Sequence, residues 1–224
     1  MSARSLSLAQ SARSATGLRS GAVAGFAFIV LLFFSAAAVS LPEPDAAGRQ
    51  VVDFYTHQRI AVTITQLLAL CATPLLVLFA LRLRAVDRRS GTAAFVVAMV
   101  GTLPGIAALI LADVADPRHT GAAHAITAGA GLADDALFLV IAGFAATVWA
   151  ARTAYRRWLR GSAVVVGLLC LTRGVLGIAH LHGTLDALGP IAFLGLVAAL
   201  SVRMWLATSG PARPAARQLT AHRT

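Results

Sequence analysis

Apolar blocks of about 20 residues alternate along the chain with short segments rich in arginine, aspartate, proline and glycine. A block of that length, wound as a helix, crosses the ~30 Å hydrocarbon core of a bilayer. Six such blocks fall at residues 21–41, 60–81, 92–112, 128–150, 162–181 and 186–207. They predict an all-α, polytopic membrane protein of six transmembrane helices. Residues 1–20 and 208–224 read as polar terminal tails, the first rich in Ser, Ala and Arg and without apolar periodicity. A basic start and the small-residue exit SAAAVS also fit a cleaved signal peptide, but the first apolar run is longer than the usual core of one.

Breakers refine the pattern. Pro42 and Pro44 stop the first helix, and the stretch DAAGRQVVDFYTHQ (45–58) is expected as a short amphipathic helix on the membrane surface. Pro74 is expected to kink the second span, with Thr73 able to bond the freed backbone, and Pro104-Gly105 marks a break in the third.

Composition supports the membrane reading. Of 224 residues 58% are hydrophobic and only 12% charged, about half the charged fraction of a soluble domain. All 19 basic residues are arginine, which excludes Schiff-base chemistry on a lysine. A net charge of +10 in a soluble protein would suggest nucleic acid; here the arginines sit in short loops beside apolar spans, so no nucleic-acid partner is expected. Arg4, Arg13 and Arg19 precede span 1; Arg82, Arg84, Arg88 and Arg89 follow span 2; Arg152, Arg156, Arg157 and Arg160 follow span 4; Arg213, Arg217 and Arg223 close the chain. Glu43, Asp45, Asp53, Asp113, Asp116 and Asp186 fall in the alternate loops, and Trp149, Trp158 and Trp205 at the arginine-rich ends. The positive-inside rule and an interfacial aromatic belt then place both termini in the cytoplasm, in a multi-pass protein of the cytoplasmic membrane.

Candidate chemistry centres on Arg173, inside span 5 and ~16 Å from its start at 1.5 Å per residue. An intramembrane arginine costs several kcal/mol unless it is paired or faces a watery cavity. Asp134 and Asp135 in span 4 are its natural partners, although neighbours on a helix diverge by ~100°, so only one of them is expected to share the arginine's direction. Thr63, Gln66 and His180 are expected to complete a polar cluster in the half of the bundle away from the arginine-rich loops. The cluster reads as an ion pair that fixes packing, or as a site binding an anionic ligand or relaying a proton.

His180 and His182, with His57, His119 and His124 outside, are weak metal candidates, because no established ligand spacing occurs. No cofactor is called for: no two histidines lie at mid-membrane depth on different spans to hold a haem. GxSxG, GxGD and P-loop signatures are absent. Cys71 and Cys170 lie inside apolar blocks without a CxxC neighbour and are expected as buried small hydrophobes. The two triplets of spans would face opposite ways, as in inverted-repeat transporters, but share only a Gly/Pro element in spans 3 and 6.

The order of a basic start, an apolar span, then Pro42, Asp45, Val52, Phe54, Tyr55, His57 and Arg59, and a second span ending in Leu81, Arg82 and Arg84, resembles a family of bacterial six-span membrane proteins, the domain-of-unknown-function family numbered 4386 or a close relative of it. The resemblance implies fold and location, with no catalytic residue to carry over. The resulting expectation is a non-enzymatic integral membrane protein in the lipid bilayer, binding or passing a small solute at the Arg173 cluster. A structural or accessory subunit is the first alternative and a metal-dependent intramembrane enzyme the second; Gly- and Ala-rich helices leave oligomers open.

Overall fold

The computed structural model describes residues 3–39, 41–42, 46–114, 117–179 and 187–209. Seven α-helices and one 3-10 turn (Pro117–His119) make up the regular structure, and the described residues contain no strand. The helices are α1 (Ala3–Ala38), α2 (Gly48–Leu83), α3 (Arg88–Val100), α4 (Thr102–Val114), α5 (Thr120–Ala150), α6 (Arg157–Ile178) and α7 (Leu188–Ser209). They supply six segments long and apolar enough to cross a membrane, with α3 and α4 sharing the third. The number and order of spans are those expected from the hydrophobic pattern.

The helix ends differ from that pattern in three places. α1 begins at Ala3 and takes in most of the stretch read as a tail; no proline or glycine precedes Gly17, so an anchored span can extend backward. The expected surface helix is the beginning of α2, which runs unbroken from Gly48, with Val51, Val52 and Tyr55 buried. Pro74 lies inside α2 without ending it. In the third segment the break falls at Gly101, ahead of Pro104-Gly105. Proline has no N–H to offer the carbonyl four residues back, here Val100, and its ring crowds that carbonyl, so the ladder is interrupted there and restarts with Pro104 in the first turn of α4.

Each span packs on its neighbours in sequence, and α7 returns to α1, so the six spans form a closed ring, with α2 also touching α5 across it. Contacts at the two ends show that consecutive spans run antiparallel. At the arginine-rich end Arg19 Nε donates to Thr208 Oγ1 (3.2 Å) and Thr147 Oγ1 to Ser90 Oγ (3.5 Å). At the other end Arg59 pairs with Asp113 (2.7 Å) and His124 Nδ1 lies 3.1 Å from the Ala46 carbonyl. Trp149, Trp158 and Trp205 are exposed at the arginine-rich end, as expected.

The interior holds two apolar clusters. The larger draws on α1, α2, α3, α5, α6 and α7 and fills the arginine-rich half. The smaller joins Val51, Val52, Tyr55 and Val62 of α2 to Ala108, Leu111 and Ala112 of α4 and Ala123 of α5 at the opposite end. The outer surface is apolar as well: Phe33, Ile60, Leu168, Ile191 and Leu206 are all more than half exposed, the arrangement lipid requires and water would punish. Glycine lets the ring close, since a Cβ at Gly25 of α1 would run into Ser201 of α7 and the Phe79 ring of α2.

Candidate functional site

Arg173 lies roughly 24 Å along α6 from Arg157, and Asp134 lies at a similar distance from Ala150 on antiparallel α5, so the two meet at one depth. Arg173 Nη1 donates to Asp135 Oδ1 at 2.6 Å, and Nη2 to Asp134 Oδ2 at 3.4 Å. Both aspartates therefore engage the arginine, which corrects the expectation that only one could. The side chain lies across α5 and its planar fork spans the two carboxylates, so each takes a different nitrogen. The guanidinium also sits 5.1 Å from the centre of the Phe138 ring, one turn further along α5.

Small residues make room for this junction. A Cβ at Gly177 would fall on the Asp135 carboxylate and the Arg173 guanidinium, and one at Gly174 would come within 2.9 Å of the Asp135 carbonyl. Gly189, at the start of α7, packs on Phe138 and on the Arg173 stem. The triad is thus built from α5 and α6 and roofed by α7. Neither glycine of α6 was singled out from the sequence, yet the signal was there: Cys170, Gly174 and Gly177 follow the 0, 4, 7 spacing of one helix face.

The triad belongs to a polar layer between the two apolar clusters. Between Ala123 and Phe138 the buried residues of α5 are Thr127 and Asp135; between Val62 and Ala72 the buried residue of α2 is Thr65. Thr65 lies ~27 Å from Leu83, close to the depth of the triad. Its hydroxyl is turned to the Ala61 and Val62 carbonyls, while Ser35 of α1 donates to the Thr65 carbonyl at 2.8 Å. Thr63 and Gln66, chosen from the sequence, are only partly buried, and Gln66 packs against Gly105 of α4. They are not brought to Arg173, because α6 packs on α5 and α7 and not beside α2. The register decides the matter: Thr65, Ala72 and Phe79, seven apart, form the inward stripe of α2, and Thr63 and Gln66 fall beside it.

Asp134 occupies an unusual position on α5. It lies seven residues from Thr127 and seven from Ile141, both buried, so its helix face is the inward one. Its side chain is nevertheless 42% exposed, against 7% for Asp135 and 11% for Arg173. Asp134 is thus the partly exposed member of the triad. Towards the arginine-rich end the interior is closed: where Phe79, Val97, Phe144, Phe193 and Val197 meet, there is no room for a water molecule. Phe193 stands edge-on to Phe28 at 6.3 Å and to Phe144 at 6.5 Å across this seal.

His180 and His182 lie outside the described residues. His57 pairs with Asp53 one turn away (3.2 Å), and no group of three metal-binding side chains occurs among the described residues. Cys170 is buried as expected, but Cys71 is exposed on the surface of α2.

A second polar group, not singled out from the sequence, lies at the arginine-rich end. Asp87 caps α3, its Oδ2 accepting from Ser90 N at 2.7 Å and Ser90 Oγ at 2.6 Å. Tyr155, from the loop between α5 and α6, is 4% exposed beside Ser90, Asp87 and Arg203 of α7. Burial pushes its hydroxyl up to about 12; Asp87 adds to the rise, and Ser90 and Arg203 oppose it. No protein-family model, curated protein or solved structure matches the chain.

Proposed function

We propose that this is an integral membrane protein that binds or passes a small solute at the polar layer centred on Arg173, Asp134 and Asp135. The observation that carries the reading is the 42% exposure of Asp134 on the inward stripe of α5, between the two apolar clusters. A carboxylate left open to lipid at this depth would be costly, so its exposure is best understood as access for water or a polar solute. Asp135 and Arg173 form the anchored part of the site, and Asp134 the part that an entering molecule meets. A solute carrying a donor or a positive charge suits that carboxylate better than the anion considered from the sequence. By the positive-inside rule the arginine-rich end is cytoplasmic, which makes the site outward-facing and the six-span ring a resident of the cytoplasmic membrane.

The buried 2.6 Å contact also favours a second reading, in which the ion pair only fixes the packing of α5 on α6. A double-mutant cycle separates the two. Breaking a buried pair from one side costs about 3–5 kcal/mol, while replacing both partners with apolar side chains restores most of it. For a solute site, Asp134→Asn is expected to keep the wild-type thermal midpoint in detergent and to lose binding in a screen of small cations and polar solutes. If every bound solute survives Asp134→Asn, while Arg173→Met and Asp135→Leu behave as a compensating pair, the packing reading stands instead.

A further inference from the structure

We propose that the outward face of α6, at the arginine-rich end, binds one anionic phospholipid, with its phosphate on Arg157 and Arg160 and an acyl chain along the helix below them. This face points away from Arg173, so the site stands apart from the reading of the Arg173 cluster.

Charge is the first observation. Arg152, Arg156, Arg157 and Arg160 stand within nine residues where α5 turns into α6. No acidic residue occupies the first turn of α6, and none of the four arginines pairs with a carboxylate among the described residues. Asp87 is the one described carboxylate at this end of the ring, and it is engaged in capping α3. Arg160 is held in place: its Nε donates to the Trp149 carbonyl at 2.7 Å, which leaves Nη1 and Nη2 for an anion. Arg157, three residues before it and a neighbour on the helix surface, is exposed. Two guanidiniums so placed suit the oxygens of a phosphate.

The surface below them says what should carry that phosphate. Arg157, Gly161, Val164 and Leu168 follow the 0, 4, 7, 11 spacing of one helix face, which continues through Leu171 and Val175. These four apolar side chains are all exposed, while Leu159, Val166 and Cys170 on the other side of α6 are buried. A Cβ at Gly161 would meet nothing within 4 Å, so a notch that the protein leaves unfilled lies one turn below Arg157. Trp158 beside it is more than half exposed, as a side chain at headgroup level would be. A free phosphate would use the arginines and ignore the notch and the apolar track; a phospholipid uses all three. Four guanidiniums without a carboxylate favour a headgroup of net negative charge over a zwitterionic one, whose ammonium they would repel.

The test uses the full chain in nanodiscs, with Trp149 and Trp205 replaced by phenylalanine so that Trp158 is the one tryptophan left. The bond from Arg160 survives, because it ends on a backbone carbonyl. Phosphatidylglycerol with brominated acyl chains, as a minor component in phosphatidylcholine, should quench Trp158 well beyond its mole fraction. Brominated phosphatidylcholine at the same fraction should quench only in proportion. Arg157→Gln should weaken the preference roughly five-fold, the share of one arginine at an anionic membrane surface. Gly161→Leu fills the notch, and should cut quenching by the anionic lipid at an unchanged thermal midpoint. Arg89→Gln, which removes a charge elsewhere at the same end, should leave the preference intact. The site is overturned if the two brominated lipids quench alike, since Trp158 would then see bulk lipid only. It is equally overturned if Arg89→Gln weakens the preference as much as Arg157→Gln, the mark of diffuse attraction. Displacement of the lipid by millimolar inorganic phosphate, with Gly161→Leu silent, would assign the arginines to a soluble anion instead. Should the chain with two phenylalanines fail to fold, native mass spectrometry of the wild-type chain counts retained phosphatidylglycerol, with the same expected order of variants.

Discussion

At the scale of single residues, the two aspartates beside Arg173 are not equivalent. Asp135 is nearly enclosed and takes the short bond, so Asp135→Asn should cost about 3 kcal/mol in thermal or denaturant unfolding. Asp134 is longer-bonded and partly exposed, and Asp134→Asn should cost less than about 1 kcal/mol. Gly177→Ala tests the seat of the pair: its methyl claims the space of the Asp135 carboxylate, and a loss of about 1–3 kcal/mol is expected. Tyr155 provides a pH signature. Its pKa is raised in the fold, so the neutral phenol is the folded form; stability should hold below pH 10 and fall as pH rises from about 10 towards about 12. Tyr155→Phe should lessen that alkaline loss, as read from unfolding midpoints between pH 8 and pH 12.

At the scale of elements, helix length and helix contact answer to different features. Length follows hydropathy, because every backbone group within the hydrocarbon must be bonded inside its own helix. Contact follows small residues. α1 meets α2 and α7 through Gly21 and Gly25, and α6 meets α5 through Gly174 and Gly177. Gly25→Leu should therefore push α1 off Phe79 and Ser201 and lower the midpoint, with the helix content measured by circular dichroism nearly unchanged. The break between α3 and α4 has a backbone cause, the missing N–H of Pro104. Pro104→Ala should slow hydrogen exchange of the amides from Gly101 to Gly105 as the two helices join.

At the scale of the whole molecule, the ring has a packed half, a polar layer and a smaller apolar cluster beyond it. The packed half carries the arginine-rich loops and is tied by Arg19 to Thr208 and by Arg160 to the Trp149 carbonyl. Cysteines placed at Arg88 and Arg156 are expected to react with an impermeant thiol reagent from one side of the membrane, and cysteines at Arg59 and Arg118 from the other. The same experiment on intact cells would assign the arginine-rich end to the cytoplasm or exclude it.

By itself the sequence determined the number of spans, their order, and the meeting of Arg173 with an aspartate of α5. These are counting problems: the hydrocarbon has one thickness, a helix one rise per residue, and a buried charge demands an opposite charge at its own depth. Tertiary structure alone decided that both aspartates reach the arginine, that Thr65 and Thr127 face inward while Thr63 and Gln66 do not, and that α7 closes the ring on α1. Those outcomes depend on how each helix is turned about its axis. That rotation is set by packing between residues far apart in the chain, Gly177 under Asp135 and Gly25 against Phe79, where one methyl group would have forced another arrangement.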